Sequence, residues 1–156
     1  MSRQRGVVLL ISLLLSLLLA LLAASALHDA LNDTRQAEYL LKGVQAFEQA
    51  EATLLQAASQ LPVAVAVCKG CPPPIRPHAL QGQWQSAANG FYQIQNLGTT
   101  ERARHRARGE PVSLFRITAV SAQSQSRQVI EGVYAVAEGE WQVPQRILWR
   151  QRSREE

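Results

Sequence analysis

From Val7 to Leu27 the chain is a run of Val, Leu, Ile and Ala broken only by Ser12, Ser16 and Ser25, and no charged residue stands between Arg5 and Asp29. These 23 uncharged residues exceed the roughly 20 that a helix needs to cross a bilayer core. From His28 to Leu61 the pattern changes. There is no proline and a single glycine, Gly43, while Leu40, Leu41, Val44, Phe47, Leu54, Leu55, Ala58 and Leu61 recur at three- and four-residue steps. That is the period of an amphipathic helix. Glu38 stands four residues before Lys42, in the favourable orientation for an intrahelical ion pair. The two segments together predict one helix of about 54 residues, roughly 80 Å long at 1.5 Å per residue. Its first half has no polar face, and its second half has one.

Pro62 ends the helical pattern, and Cys68-Lys69-Gly70-Cys71-Pro72-Pro73-Pro74 reads as a stiff, turn-rich connection. Strands are predicted at Phe91 to Leu97, Val112 to Val120 and Gln128 to Ala137, with a short last one at Ile147 to Trp149. Phe115, Ile117 and Ala119 alternate with Leu114, Arg116 and Thr118, as expected where one sheet face packs and the other is wetter. A long helix followed by a run of strands indicates an α+β fold, with a small antiparallel sheet packed on the helix's distal half. The stretches are then 1–6, a short basic leader; 7–27, the apolar half of the helix; 28–61, its amphipathic half; and 62–156, the sheet region.

Length and charge sharpen this picture. At 156 residues and 17.2 kDa the chain has room for one modest domain and an appendage. Its hydrophobic fraction is 47% although aromatics are only 6%, so the apolar residues are aliphatic and the N-terminal run holds many of them. Arg3 and Arg5 precede that run with no acid between them. A basic flank is retained in the cytoplasm, so the body faces out, into the periplasm or beyond. A cleaved signal peptide is the alternative, with Ala23-Ala24-Ser25-Ala26 as its cleavage site. Against it, the apolar run is longer than an ordinary signal core, and a helical pattern continues beyond it unbroken.

A short basic leader ending in Gly6, followed by an apolar residue that opens a long apolar helix, resembles the processing and assembly segment of type IV pilins and their secretion-system relatives. The tail of the helix, Ala46-Phe47-Glu48-Gln49-Ala50-Glu51-Ala52-Thr53-Leu54-Leu55, and the strand Phe115-Arg116-Ile117-Thr118-Ala119 are similar to PilX-type minor pilins. The likeness implies a pilin-like fold, cleavage after Gly6 by a prepilin peptidase, and methylation of the new amine on Val7. Removing Arg3 and Arg5 would lower the formal charge from +4 to +2. It also implies an assembly surface on the helix, at Val7, Ile11, Leu14, Leu18 and Leu22. The implied partners are other minor pilins, the major pilin, the peptidase and an inner-membrane platform protein. The chain is then held in the inner membrane by a single span before assembly and lies in an extracellular pilus afterwards.

Most pilins carry Glu as the fifth residue of the mature chain, and here that position is Ile11. A carboxylate in an apolar setting is tolerated only when paired. A subunit without one needs no partner on that side, as is expected of a tip or priming subunit. The tip subunits of type II secretion tend to lack the same Glu. One expectation is therefore a minor pilin that helps to initiate a type IV pilus and sits at or near its tip, in the service of motility, adhesion or DNA uptake. A tip pseudopilin of type II secretion shares the helix, but usually carries a larger inserted domain than the 95 residues after Leu61 allow. A membrane-anchored periplasmic binding or redox module is the rival from another class.

Other residues carry weaker signals. Glu51 falls on the apolar stripe with Phe47 and Leu54 and is expected in water, capping a strand backbone, or paired with an arginine of the sheet such as Arg116. Cys68 and Cys71, the two cysteines of an exported domain, are expected as a structural disulfide. Redox use would want a helix N-terminus, which three following prolines oppose, and zinc would want about four ligands where only His78 is near. Arg102, Arg104, Arg106 and Arg108, with His105 among them, would point one way if extended and so offer an anion-binding surface, and Arg146, Arg150, Arg152 and Arg154 crowd the C-terminus. A solvated loop neutralised by Glu101, Glu110, Glu155 and Glu156 is the plainer expectation, and the run lacks aromatics for stacking on nucleic-acid bases. His28, His78 and His105 lie far apart, and no catalytic, phosphate-binding or metal motif occurs. No enzyme, cofactor or metal is expected.

Overall fold

The structure, a computed structural model, describes residues 3–103, 109–137 and 143–153. Helix α1 spans Arg3–Ala58, and five strands follow: β1 (Gln85–Ala87), β2 (Gly90–Thr100), β3 (Val112–Ser121), β4 (Val129–Ala137) and β5 (Gln145–Arg152). They form one antiparallel sheet in the order β1-β2-β3-β4-β5, so each strand pairs with its neighbour in sequence. This is an α+β, pilin-like arrangement of one long N-terminal helix on an antiparallel sheet. By contact density the chain divides into two units, Met1–Leu41 and Lys42–Glu156.

Within the second unit, Ala46, Ala50, Thr53 and Ala57 recur at four-, three- and four-residue steps and are all fully buried. Small side chains let the strands come close to the helix backbone. Leu54, Ala58 and Leu61 flank that stripe and close on Tyr92 and Ile94 of β2, Phe115, Ile117 and Ala119 of β3, and Ile130 and Tyr134 of β4. Two glycines permit the approach. A Cβ at Gly90 would run into the Val120 carbonyl oxygen and meet Thr53 Oγ1, while one at Gly132 would come within 2.9 Å of Tyr134 Cε2. The Tyr134 ring thus lies over a strand position left bare.

The stripe corrects the expected one. Leu54, Ala58 and Leu61 of that stripe are buried, Leu40 and Leu41 lie in a stretch exposed all round, and Val44 and Leu55 are exposed because the sheet covers the adjoining alanine-rich face instead. The helix also ends at Ala58, not Leu61: Gln60 and Leu61 donate to the carbonyls of Ala57 and Ala58 in a tightened last turn ahead of Pro62. The Leu61–Pro62 peptide is cis. The predicted strands all occur, longer than expected at β2 and β5, and β1 joins them as a short hairpin partner of β2 at a position that carried no strand pattern.

The outer sheet face also departs from the expectation of a wetter surface. Val112, Thr118, Val120, Val129 and Glu131 are buried there. The chain between α1 and β1 lies over this face, with Pro74 and Pro77 buried and the short helix at Pro77–Ala79 against β3. A second small cluster, Val112, Ala135 and Ala137, gathers on the same sheet with Leu114 and Ile147.

Leu54 is fully buried and Leu55 is 56% exposed, so the two adjacent leucines separate the real packing face from the merely apolar one. Leu54→Ala is expected to lower unfolding stability by about 2–5 kcal/mol, whereas Leu55→Ala stays within about 0.5 kcal/mol. Urea unfolding of the detergent-solubilised full chain measures both.

Candidate functional site

Two features stand out: the uncovered helix half and a strap of chain held on the sheet by arginines. From Gly6 onward α1 is the one helix among the described residues long and apolar enough to cross a membrane. Val7, Ile11, Leu14, Leu18 and Leu22 all lie exposed on it, and Gly6 is within its first turns. Its three serines leave no polar gap. Ser12 donates to Leu9 O, Ser16 to Ser12 O and Ser25 to Leu22 O, at 2.8 to 2.9 Å. Each hydroxyl is satisfied by its own helix, as a lipid-facing or helix-facing surface requires. This half fits a membrane anchor.

The strap runs from Cys68 to Leu80 and begins with Cys68 and Cys71 joined as a disulfide, their Cα atoms 5.6 Å apart. Pro72, Pro73, Pro74 and Pro77 have no N–H, so the segment offers carbonyls without the donors a strand would need. Arginine side chains supply donors. Arg116 Nη1 donates to Cys71 O (3.1 Å), Arg152 Nη1 to Pro74 O (2.8 Å) and Arg127 Nη1 to His78 O (2.7 Å). Gln95 Nε2 adds a bond to Pro72 O at 3.1 Å. Arg76 and Leu80, on either side of the short helix, hold left-handed φ angles of 47° and 52°, a conformation that costs a non-glycine residue roughly 1–2 kcal/mol.

Glu131 anchors this set. Its side chain is 2% exposed and faces Arg116 Nε at 3.1 Å and Arg150 Nη2 at 3.0 Å. Strand register makes the cluster: Glu131 is directly opposite Arg150, Arg116 is directly opposite Gln95, and Thr118 rather than Arg116 is opposite Glu131, so the Arg116–Glu131 contact is diagonal. Arg116 Nη1 also donates to Gln95 Oε1 at 3.1 Å. One buried carboxylate thus orients two guanidiniums, and one of these holds the strap.

Glu51 meets an arginine of the sheet, but not the Arg116 given as the example. Arg116 alternates with Phe115 and Ile117, so it points away from α1 and cannot reach the helix. Glu51 pairs instead with Arg146 of β5 at 3.5 Å, both side chains more than a third exposed, a contact worth less than about 1 kcal/mol. Phe47 is half-buried and meets Trp149 edge-on, ring centroids 6.2 Å apart. Leu54 is fully buried in the core. Arg102 is exposed just beyond β2, while Arg104, Arg106 and Arg108 lie outside the described residues.

Glu131 and Arg127 were not singled out by the sequence, and Arg146, Arg150 and Arg152 only as part of an arginine-rich C-terminus. Glu131 carried a signal nonetheless. It is the one acidic residue in the five described strands, among strand positions that otherwise hold apolar, polar or arginine side chains. Comparison with known proteins finds no matching family model, no matching curated protein and no matching solved structure.

Glu131→Gln leaves Arg116 with no counter-charge inside the structure and is expected to cost about 3–5 kcal/mol in urea unfolding, whereas Arg150→Gln, at a half-exposed position, costs about 0–1 kcal/mol. The same Glu131 variant should speed hydrogen exchange at Ile75 and Arg76. A second expectation concerns pH. Burial pushes the Tyr134 hydroxyl above its ordinary value of 10.0, with the Arg146 guanidinium acting the other way. The neutral phenol is therefore favoured in the folded chain, its contribution is complete below pH 10.0, and it is lost as pH rises through the folded value. Tyr134→Phe should flatten that part of the stability profile, read by urea unfolding between about pH 8 and 11.

Proposed function

We propose that this chain is a minor pilin that helps to initiate assembly of a type IV pilus and sits at or near its tip. The observation that carries the reading is the continuity of α1. One unbroken helix bears both an exposed apolar half, from Val7 to Leu27, and the alanine stripe that packs on the sheet. A subunit that is lifted out of the bilayer into a bundle of like helices needs an apolar helix surface without polar gaps, and α1 offers one from Val7 to Leu27. Exchanging lipid for apolar helix surface involves little change of environment, so extraction into such a bundle is not opposed by a hydrophobic term.

The absence of a carboxylate at Ile11 supports placement at the end of the filament. Trimming after Gly6 removes Arg3 and Arg5, releases the basic lock on the cytoplasmic side, and exposes the amine of Val7 for methylation. Lateral association with other minor subunits in the inner membrane then forms the first turn, and later subunits add beneath it.

The test is the N-terminal residue and mass of the chain produced with and without an active prepilin peptidase. A chain that begins at methylated Val7 only when the peptidase is present is the expected result. An intact N-terminus, or a cut near Ala26, would mean an anchored or secreted periplasmic domain and end the assembly reading.

A further inference from the structure

The sheet has two edges, and the fold treats them differently. On one side β1 is three residues long and covers Gly90 to Tyr92. Beyond it, Val67 bridges Asn96, the Cys68 N–H donates to Asn96 O at 2.8 Å, and Asn96 Nδ2 donates to Val65 O at 3.0 Å. Short strands and covering loops are how natural sheets stop an edge from pairing with other chains. On the other side β5 ends the sheet, and no backbone hydrogen bond from the described residues reaches its outer edge. Its eight residues span about 26 Å at 3.3 Å per residue.

The side chains on this open edge define what fits it. Trp149 and Leu148 are 41% and 50% exposed, on opposite faces. Arg150 and Arg152 share the outer face with Leu148, and β5 contains no acid. Glu131 is shared between Arg150 and Arg116, so the outer face keeps a positive excess. Residues 62–156 as a whole carry twelve Lys and Arg against seven Asp and Glu.

We propose that the β5 edge takes an extended segment of another protein as a sixth strand, one in which acidic and apolar residues alternate. Alternation follows from the pleat: acids on one face meet Arg150, whose partner Glu131 is shared with Arg116, and apolar residues on the other meet Trp149. The backbone groups of β5 supply the ladder. Parallel in-register pairing of two β5 strands sets each arginine beside itself, and like charges directly opposite one another destabilise a strand pair. The proposal stands independently of the filament reading.

A tethered strand tests it. The full chain is placed in phosphatidylcholine nanodiscs with a flexible Gly/Ser linker of about twelve residues after Glu156, leading to the segment Thr-Glu-Val-Glu-Val-Glu-Val-Thr. Such a linker raises the local concentration of the strand to about the millimolar range, where weak pairing is detected. Hydrogen exchange at Gln145–Arg152 is then compared with that of the untethered chain. Outward-facing amides of β5 should slow by about tenfold or more. The effect should shrink in Trp149→Ala and vanish when the three Glu of the tether are replaced by Lys. No slowing with the acidic strand, equal slowing with the basic one, or β5-protected dimers of the untethered chain would each overturn the proposal.

Discussion

Close approach of the sheet to the alanine face of α1 is the contact on which the rest of the molecule depends. Ala46, Ala50 and Ala57 add little apolar area of their own, but they allow Leu54, Phe115, Ile117 and Tyr134 to meet without a gap. Gly90 and Gly132 leave bare strand positions where a Cβ would crowd the Val120 carbonyl and the Tyr134 ring and would meet Thr53 and Leu54 of α1. Once this face of the sheet is given to the helix, alternation along each strand decides the other face. That face carries Val112, Val120 and Val129 as well as Arg116 and Glu131, too much apolar surface to leave in water.

The strap answers that requirement with an uncommon chemistry. A proline-rich segment cannot extend the sheet, because it lacks donors, yet its rings cover apolar residues well and its restricted backbone loses little entropy on ordering. Its carbonyls still need partners in a half-buried setting. Arg116, Arg127 and Arg152 fill that need with side chains long enough to reach across the sheet face. Burying a guanidinium group is tolerable only beside a counter-charge, and Glu131 provides one for Arg116. Glu131, Arg116 and the carbonyl of Cys71 at the start of the strap are therefore one device.

Helix and sheet also divide the molecule's outward faces by chemistry. The exposed half of α1 offers an aliphatic surface whose serines are satisfied internally, suited to lipid or to other apolar helices. At an edge of the sheet, β5 carries arginines and a half-exposed tryptophan, and no backbone hydrogen bond from the described residues reaches its outer side.

The long helix, the connection that follows it, the four main strands and the α+β class were legible in the amino-acid sequence, because each rests on local periodicity or on proline and glycine chemistry. The uncovered apolar run was legible for the same reason: no charge interrupts it. What the sequence could not decide is which apolar residues form the contact. A period of 3.6 marks two adjoining faces of the second helix half as apolar, and leucine outweighs alanine on any hydrophobicity count. Only close packing selects the alanines, since a sheet approaches small side chains more nearly than large ones. Likewise Glu51 and Arg116 were plausible partners by charge alone. Their separation onto opposite sides of β3, and the choice of Glu131 as the carboxylate that holds Arg116, depend on strand register, a relation between residues far apart in the chain that no local pattern encodes.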